Sequence, residues 1–281
     1  MKLLFAVALI ASFATLAKSQ LEGGSVLIVT YSPDEIVMAA DSRVTNVKTG
    51  QFRDNYCKLS APGGKVLFGT TGLVESIGGF DSTGLFRRLV REMGGDYKDG
   101  FVEQIATRWA DAMDQNYAKM PATLVEQFIG ENSGNRALDC TLFAGVEPSG
   151  GLSLVRARLF YGAPASGAPT AVRYKIEVIS LESPTPGYLN IAGCGNIDIL
   201  QQFTPPKTQS NQAEVERWKL FTGDVKAQIA VRLVNLTIAR EKPEPFGSHQ
   251  VVPVGGPVDG AEIQRGGSVK WVQRKSSCPA N

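Results

Sequence analysis

Strand-like stretches come in blocks along this chain, with helical blocks between them. The first block holds two apolar runs, "SVLIVTY" (25–31) and "IVMAA" (36–40), which the turn residues "SPDE" join into a hairpin. A polar stretch follows, "VTNVKTGQFRDN", then "YCKLS", a Gly63-Gly64 turn and the strand "KVLFGTTG". Two helical segments come next. "TGLFRRLVREM" spaces Leu85, Leu89 and Met93 four residues apart. "DGFVEQIATRWADAMDQNYAKM" puts Phe101, Ile105, Trp109 and Met113 on one face, with Asp99 as its cap. Both stripes read as core packing. Strands resume with "CTLFAGVE", "LSLVRARLFY", "AVRYKIEVIS" and "YLNIAG", several alternating apolar and polar as half-buried antiparallel strands do. The second helical block covers 195–203, 211–220 and "TGDVKAQIAVRLVNLTIAREK", whose apolar side carries Ile229, Leu233 and Leu236. "GGPVDGAEIQRGGSVKWVQRK" closes the chain as a hairpin, and "SSCPAN" reads as a frayed tail.

Segregated runs of this kind predict an α+β fold. Two antiparallel sheets packed face to face, with helices outside each, would bury every apolar face. No linker or repeat calls for a second domain, so 25–273 reads as one unit and 274–281 as its tail. The 281 residues are 43% hydrophobic and 20% charged, enough to bury a sizeable core. With a net charge of +2 and no Lys/Arg block, the chain lacks the footprint of a nucleic-acid binder or of a protein drawn to anionic membranes.

The N-terminus bears on the compartment. Lys2 precedes the apolar run "LLFAVALIASFATLA", which ends in small residues. Residues 1–19 therefore read as a secretory signal peptide, cleaved after Ala17 or Ser19, and the run is short of the roughly 20 residues of a spanning helix. Cleavage leaves residues up to 24 as a lead-in, and the protein is expected to be secreted or periplasmic, with no membrane attachment. An exported chain permits disulfides among Cys57, Cys140, Cys194 and Cys278, for which three connectivities exist. The cysteines form no CxxC, which argues against zinc.

The segment "GSVLIVTYSPDEIVMAADSRVT" resembles the opening of proteasome-type subunits, with an apolar strand that ends in Ala-Ala-Asp-Ser-Arg. "CKLSAPGGKVLFGTTG" resembles their next hairpin, "YLNIAGCGN" a later strand ending in alternating glycines, and "GGPVDGAEI" the closing strand. The resemblance implies the four-layer αββα sandwich of N-terminal nucleophile hydrolases. In that class the first residue of the mature chain attacks a carbonyl carbon and its own α-amine takes the proton. An α-amine has a pKa of about 7.7–8.0, so it can act as a base near neutral pH without histidine. A nearby lysine ammonium lowers the pKa of hydroxyl and amine and steadies the oxyanion.

Carried onto this sequence, the resemblance makes Ser25 the nucleophile, Asp41 the aspartate that holds the lysine, Lys58 the lysine and Arg43 the supporting arginine. The resemblance also makes Gly72 the position where a family oxyanion amide would sit. The spacing from Arg43 to Lys58 is one residue longer than the family pattern. The family's serine after the alternating glycines aligns with Asn196. The acid and the serine that normally orient the amine align with Val251 and Val254, and the family's threonine nucleophile is here a serine. A free amine on Ser25 requires loss of the lead-in, for which attack of the Ser25 hydroxyl on the Gly24 carbonyl is one route; the Gly23-Gly24 pair reads equally well as a plain flexible joint. Two readings follow. One is a hydrolase of peptide or amide bonds that needs no cofactor. The other is a catalytically silent scaffold or ring subunit; ring or homo-oligomer assembly is implied by kinship alone.

Other nucleophile systems are less well supplied. His249, the only histidine, lies in the loop-like "PFGSHQ", and no G-x-S-x-G elbow exists. Cys57 and Cys194 are thiol candidates, with pairing or burial as the alternative. Asn235-Leu236-Thr237 matches a glycosylation sequon but falls inside a helical segment.

Overall fold

A computed structural model of the chain describes residues 22–23, 25–46, 49–76, 80–94, 97–120, 137–162, 171–182, 190–195, 197, 200, 226–246 and 249–278. The fold is α+β, and every strand pairing is antiparallel among the described residues. The helical segments expected over 195–203 and 211–220 lie almost wholly outside those residues.

The strands are β1 (Glu22–Gly23), β2 (Val26–Tyr31), β3 (Glu35–Ala40), β4 (Val44–Asn46), β5 (Phe52–Arg53), β6 (Leu59–Ser60), β7 (Val66–Thr71), β8 (Glu75–Ser76) and β9 (Phe80–Asp81), then β10 (Ala137–Val146), β11 (Leu152–Gly162), β12 (Ala171–Val178), β13 (Asn190–Gly195), β14 (Glu244–Phe246), β15 (His249–Val251), β16 (Asp259–Gln264) and β17 (Lys270–Gln273). One sheet runs β13-β2-β3-β16-β17, a second β12-β11-β10-β7-β6, and a third, small one β5-β4-β1-β8-β9. The α-helices among the described residues are α1 (Ser82–Met93), α2 (Phe101–Tyr117) and α3 (Lys226–Arg240).

Side-chain direction explains the two apolar runs that open the chain. Successive residues of a strand point to opposite faces. Val26, Ile28, Val37 and Ala39 face α3, packing on Ile229, Leu233 and Val234. Leu27, Val29, Ile36 and Met38 face the other way, toward Leu67, Leu142 and Leu154 of the second sheet. Both faces are covered, so β2 and β3 are apolar without alternation. The second sheet's outer face buries Phe68, Phe143 and Val155 under α1 and α2, where Phe86 and Trp109 meet the two phenylalanines ring to ring. Phe101, Ile105, Trp109 and Met113 are all buried there, as their spacing predicts.

Three local expectations are corrected. Asp99 does not cap α2: the N-cap is Gly100, and Asp99 instead accepts from the Ser149 amide at 3.1 Å. The Glu147 carboxylate takes over that task, accepting from the amides of Gly100 at 3.0 Å and Phe101 at 3.3 Å. Glu22–Gly23, expected to be a loose lead-in, forms β1, paired with β4 on one side and β8 on the other. The tail is not frayed through Cys278, which bonds to Cys57, and Lys275 is buried against Asp259.

Candidate active site

The switch from apolar to polar at Ala40-Asp41 marks the end of β3, where the chain stays buried but its side chains turn polar. Asp41 is fully buried there and its carboxylate gathers four donors. Oδ1 accepts from the Val26 amide at 3.0 Å and from Lys58 Nζ at 2.8 Å. Oδ2 accepts from the amides of Arg43 at 3.2 Å and Gly255 at 3.0 Å. A buried carboxylate is tolerated only when it is paired and bonded in this way. Lys58 is also fully buried, and its ammonium donates a second bond to the Arg43 carbonyl. Burial pulls the Lys58 pKa down from 10.5 to about 8, against the opposing attraction of Asp41; the positive charge of Lys275 lowers it further.

The Arg43 guanidinium turns away from Lys58. It forms a two-pronged pair with Asp54, Nε to Oδ1 and Nη2 to Oδ2, both at 2.7 Å, and lies over the Phe52 ring. Its Nη1 donates to the Val252 carbonyl at 3.3 Å. Arg43 thus braces the loop at 252–255, whose Gly255 amide reaches Asp41, and its backbone carbonyl accepts from Lys58.

Ser25 is 4% exposed, and its Oγ makes no hydrogen bond among the described residues. Its neighbour Val26 is fixed by the same Asp41 oxygen that holds Lys58. On the other side, Gly195 closes over the Ser25 backbone. A Cβ there would stand 2.0 Å from the Ser25 carbonyl oxygen, and φ is +77°. Only glycine fits both the contact and the left-handed backbone. Gly72 also adopts a left-handed backbone, at φ +82°, and a Cβ would come within 2.2 Å of Asp139 Oδ1. Asp139 anchors this turn by accepting from the Leu73 amide at 2.6 Å, and its other oxygen accepts from the Tyr117 hydroxyl. Burial pushes the Asp139 carboxyl well above its ordinary value.

Of the remaining candidates, Asn196 lies outside the described residues, as do the side chains of Val251 and His249. Val254 is buried in the apolar cluster with Val26 and Ile28. Cys57 and Cys194 offer no thiol: the disulfides are Cys57–Cys278 and Cys140–Cys194, and two such bonds fit an oxidising compartment. Asn235 and Thr237 sit within α3, with Thr237 buried. Among the described residues no group of His, Cys, Asp and Glu is arranged to hold a metal, and no helix is long and apolar enough to cross a membrane.

Four contributors escaped sequence reasoning: Asp54, Gly195, Asp139 and Lys275. Gly195 carried a signal in the alternating glycines of "AGCG", and Lys275 a weaker one in the nearby Cys278. Asp54 and Asp139 gave none. No protein-family model and no curated protein matches this chain.

Proposed function

We propose that the chain is the precursor of an exported, proteasome-like N-terminal nucleophile hydrolase acting on peptide or amide bonds, with the four-layer αββα arrangement of that class. One observation carries the reading. A single buried carboxylate oxygen, Asp41 Oδ1, accepts from Lys58 Nζ and from the residue directly after Ser25. An ammonium with a pKa near 8, a hydroxyl without a hydrogen bond among the described residues and a glycine turn belong to a site for attack on a carbonyl. The pairing of β1 with both β4 and β8 adds support, because an extended peptide is already held on both edges just ahead of Ser25.

Maturation runs as an N-to-O acyl shift followed by hydrolysis. Neutral Lys58 takes the Ser25 Oγ proton through an intervening water, since it is not bonded to Oγ directly, while Oγ bonds to the Gly24 carbonyl carbon. The C–N bond then breaks, and the proton passes to the Ser25 nitrogen. Water hydrolyses the resulting ester, leaving the Gly24 carboxylate and a free α-amine on Ser25. In the mature site that amine takes the Oγ proton during attack on a substrate amide and returns it to the leaving nitrogen. Water then cleaves the acyl ester. Protonated Lys58 favours the neutral amine and stabilises the oxyanion by its charge.

A silent scaffold is the second reading, favoured by Val254. Buried among apolar side chains, it offers no hydrogen bond to orient an amine. Intact mass and N-terminal sequencing of the exported protein discriminate. The hydrolase reading expects a chain that starts at Ser25, and a Ser25→Ala chain that keeps its lead-in and hydrolyses no amide. A folded wild-type protein that still begins at Lys18 or Gln20, without hydrolase activity, establishes the scaffold instead.

A further inference from the structure

The C-terminal segment lies against the stretch that carries Lys58. Cys278 is bonded to Cys57, the residue immediately before Lys58. Lys275 Nζ donates to the Tyr56 carbonyl at 2.8 Å, two residues before Lys58. The other side of this segment is held by Asp259 at the start of β16, with Oδ1 accepting from the Lys275 amide at 2.8 Å and Oδ2 lying 2.7 Å from Lys275 Nζ. Lys275 is 9% exposed and Asp259 1%, so this ion pair is inside the protein. A surface tail has no need of a buried ammonium, a buried carboxylate and a disulfide to stay in place.

We propose that residues 275–278 are a positioning strap for the candidate active site, in which the Cys57–Cys278 bond and Lys275 fix the Tyr56-Cys57-Lys58 segment and set the charge around Lys58. This deepens the hydrolase reading and rests on it for its catalytic meaning. The charged groups facing Lys58 are Asp41 from the end of β3, Asp54 with its partner Arg43, and Lys275 with its partner Asp259. Asp41 and Asp54 favour the ammonium, whereas Lys275 opposes it. Release of the strap therefore removes the Lys275 charge that opposes protonation, and Lys58 holds its proton to higher pH.

The test uses the full-length precursor labelled with 13Cε-lysine, with the Lys58 titration followed by NMR. In Lys275→Met the Lys58 titration is expected to move to higher pH, and in Lys275→Arg to stay near that of the wild type. In Cys57→Ser/Cys278→Ser, which keeps both charges of the Lys275–Asp259 pair, amide exchange at residues 56–60 is expected to speed up and the Lys58 titration to move the same way. This second variant carries the test if Lys275→Met fails to fold. An unchanged Lys58 titration together with unchanged exchange in the folded variants overturns the strap. The pH midpoint of Ser25-dependent self-cleavage is read in the same samples and should shift upward in parallel. If no form cleaves itself or a substrate, the hydrolase reading fails, while the titration still decides whether the strap acts on Lys58.

Discussion

Lys58 and Asp41 depend on each other, because each is a charge that burial alone would not tolerate. Lys58→Met leaves the Asp41 carboxylate in the core with its amide donors but no counter-charge. The expected loss is about 3–5 kcal/mol in urea denaturation. The lowered pKa adds a pH signature. Between about 8 and 10.5 folded Lys58 has released its proton while the unfolded lysine still holds one. The unfolded state binds more protons in that window, so stability rises with pH there. The gap between wild type and Lys58→Met should widen over the same window, by on the order of 3 kcal/mol. A gap that narrows instead would mean that Lys58 is not held as a destabilised ammonium. Gly195→Ala tests the other flank of Ser25: a methyl group 2.0 Å from the Ser25 carbonyl forces β2 or β13 to move. Mass spectrometry should then find the lead-in retained, with thermal stability lowered as well. The apolar-to-polar switch at a strand end singled out Asp41 and Arg43 in the sequence itself, whereas Lys58 and Ser25 were pointed to by the family resemblance alone. Asp54 was marked by neither. Its partnership with Arg43 depends on how the polar stretch between β4 and β6 folds back, and nothing in the composition of that stretch specifies the return.

The helices show which part of an element is written in its own residues. The buried faces of α1 and α2 follow from a four-residue spacing, since a 3.6-residue turn leaves few alternatives. The cap of α2 does not follow. Asp99 has the right chemistry at nearly the right place, but Gly100 takes the left-handed cap conformation, and Glu147, arriving from the end of β10, reaches the exposed amides first. Glu147→Ala should lower stability by about 1 kcal/mol, and Asp99→Ala by less, as measured by thermal or urea unfolding. Equal losses would indicate that the Asp99 contact with Ser149 matters as much as the cap. The short strands β4, β5 and β8 were likewise illegible. They hold two or three residues each, too few to show a period, and exist because β1 lies between β4 and β8 to complete their hydrogen bonds.

Across the whole molecule, the two large sheets meet at one apolar layer, and the candidate site draws on both. Ser25 and Asp41 flank β2 and β3 of one sheet, and Gly72 follows β7 of the other. The Cys140–Cys194 bond crosses between them. Cys140 pairs across the second sheet with Thr71, next to Gly72, and Cys194 pairs across the first with Leu27, two residues from Ser25. The Thr71 hydroxyl also donates to the Cys140 carbonyl at 2.8 Å, so the cross-link and the glycine turn share a backbone unit. A bond spanning 54 residues restricts the unfolded chain by about 4 kcal/mol of loop entropy, and the Cys57–Cys278 bond, spanning 221, by about 5. If restriction of the unfolded chain were the whole effect, removing either bond would lower stability by nearly the same amount. It would also steepen the dependence on urea, because an uncrosslinked chain exposes more surface. The two bonds differ in what they hold in the folded state. Cys140→Ala/Cys194→Ala frees the sheet next to Ser25 from the sheet of the glycine turn, and both cysteines come out of the layer between them. That variant should lose more stability than loop entropy predicts, through the cavity left in the layer, and its self-cleavage should slow even under conditions where it remains fully folded. Urea denaturation and the rate of lead-in loss, measured on the same preparation, decide the matter. A variant that loses stability but matures at the wild-type rate would show that the two sheets keep their relative position without the cross-link.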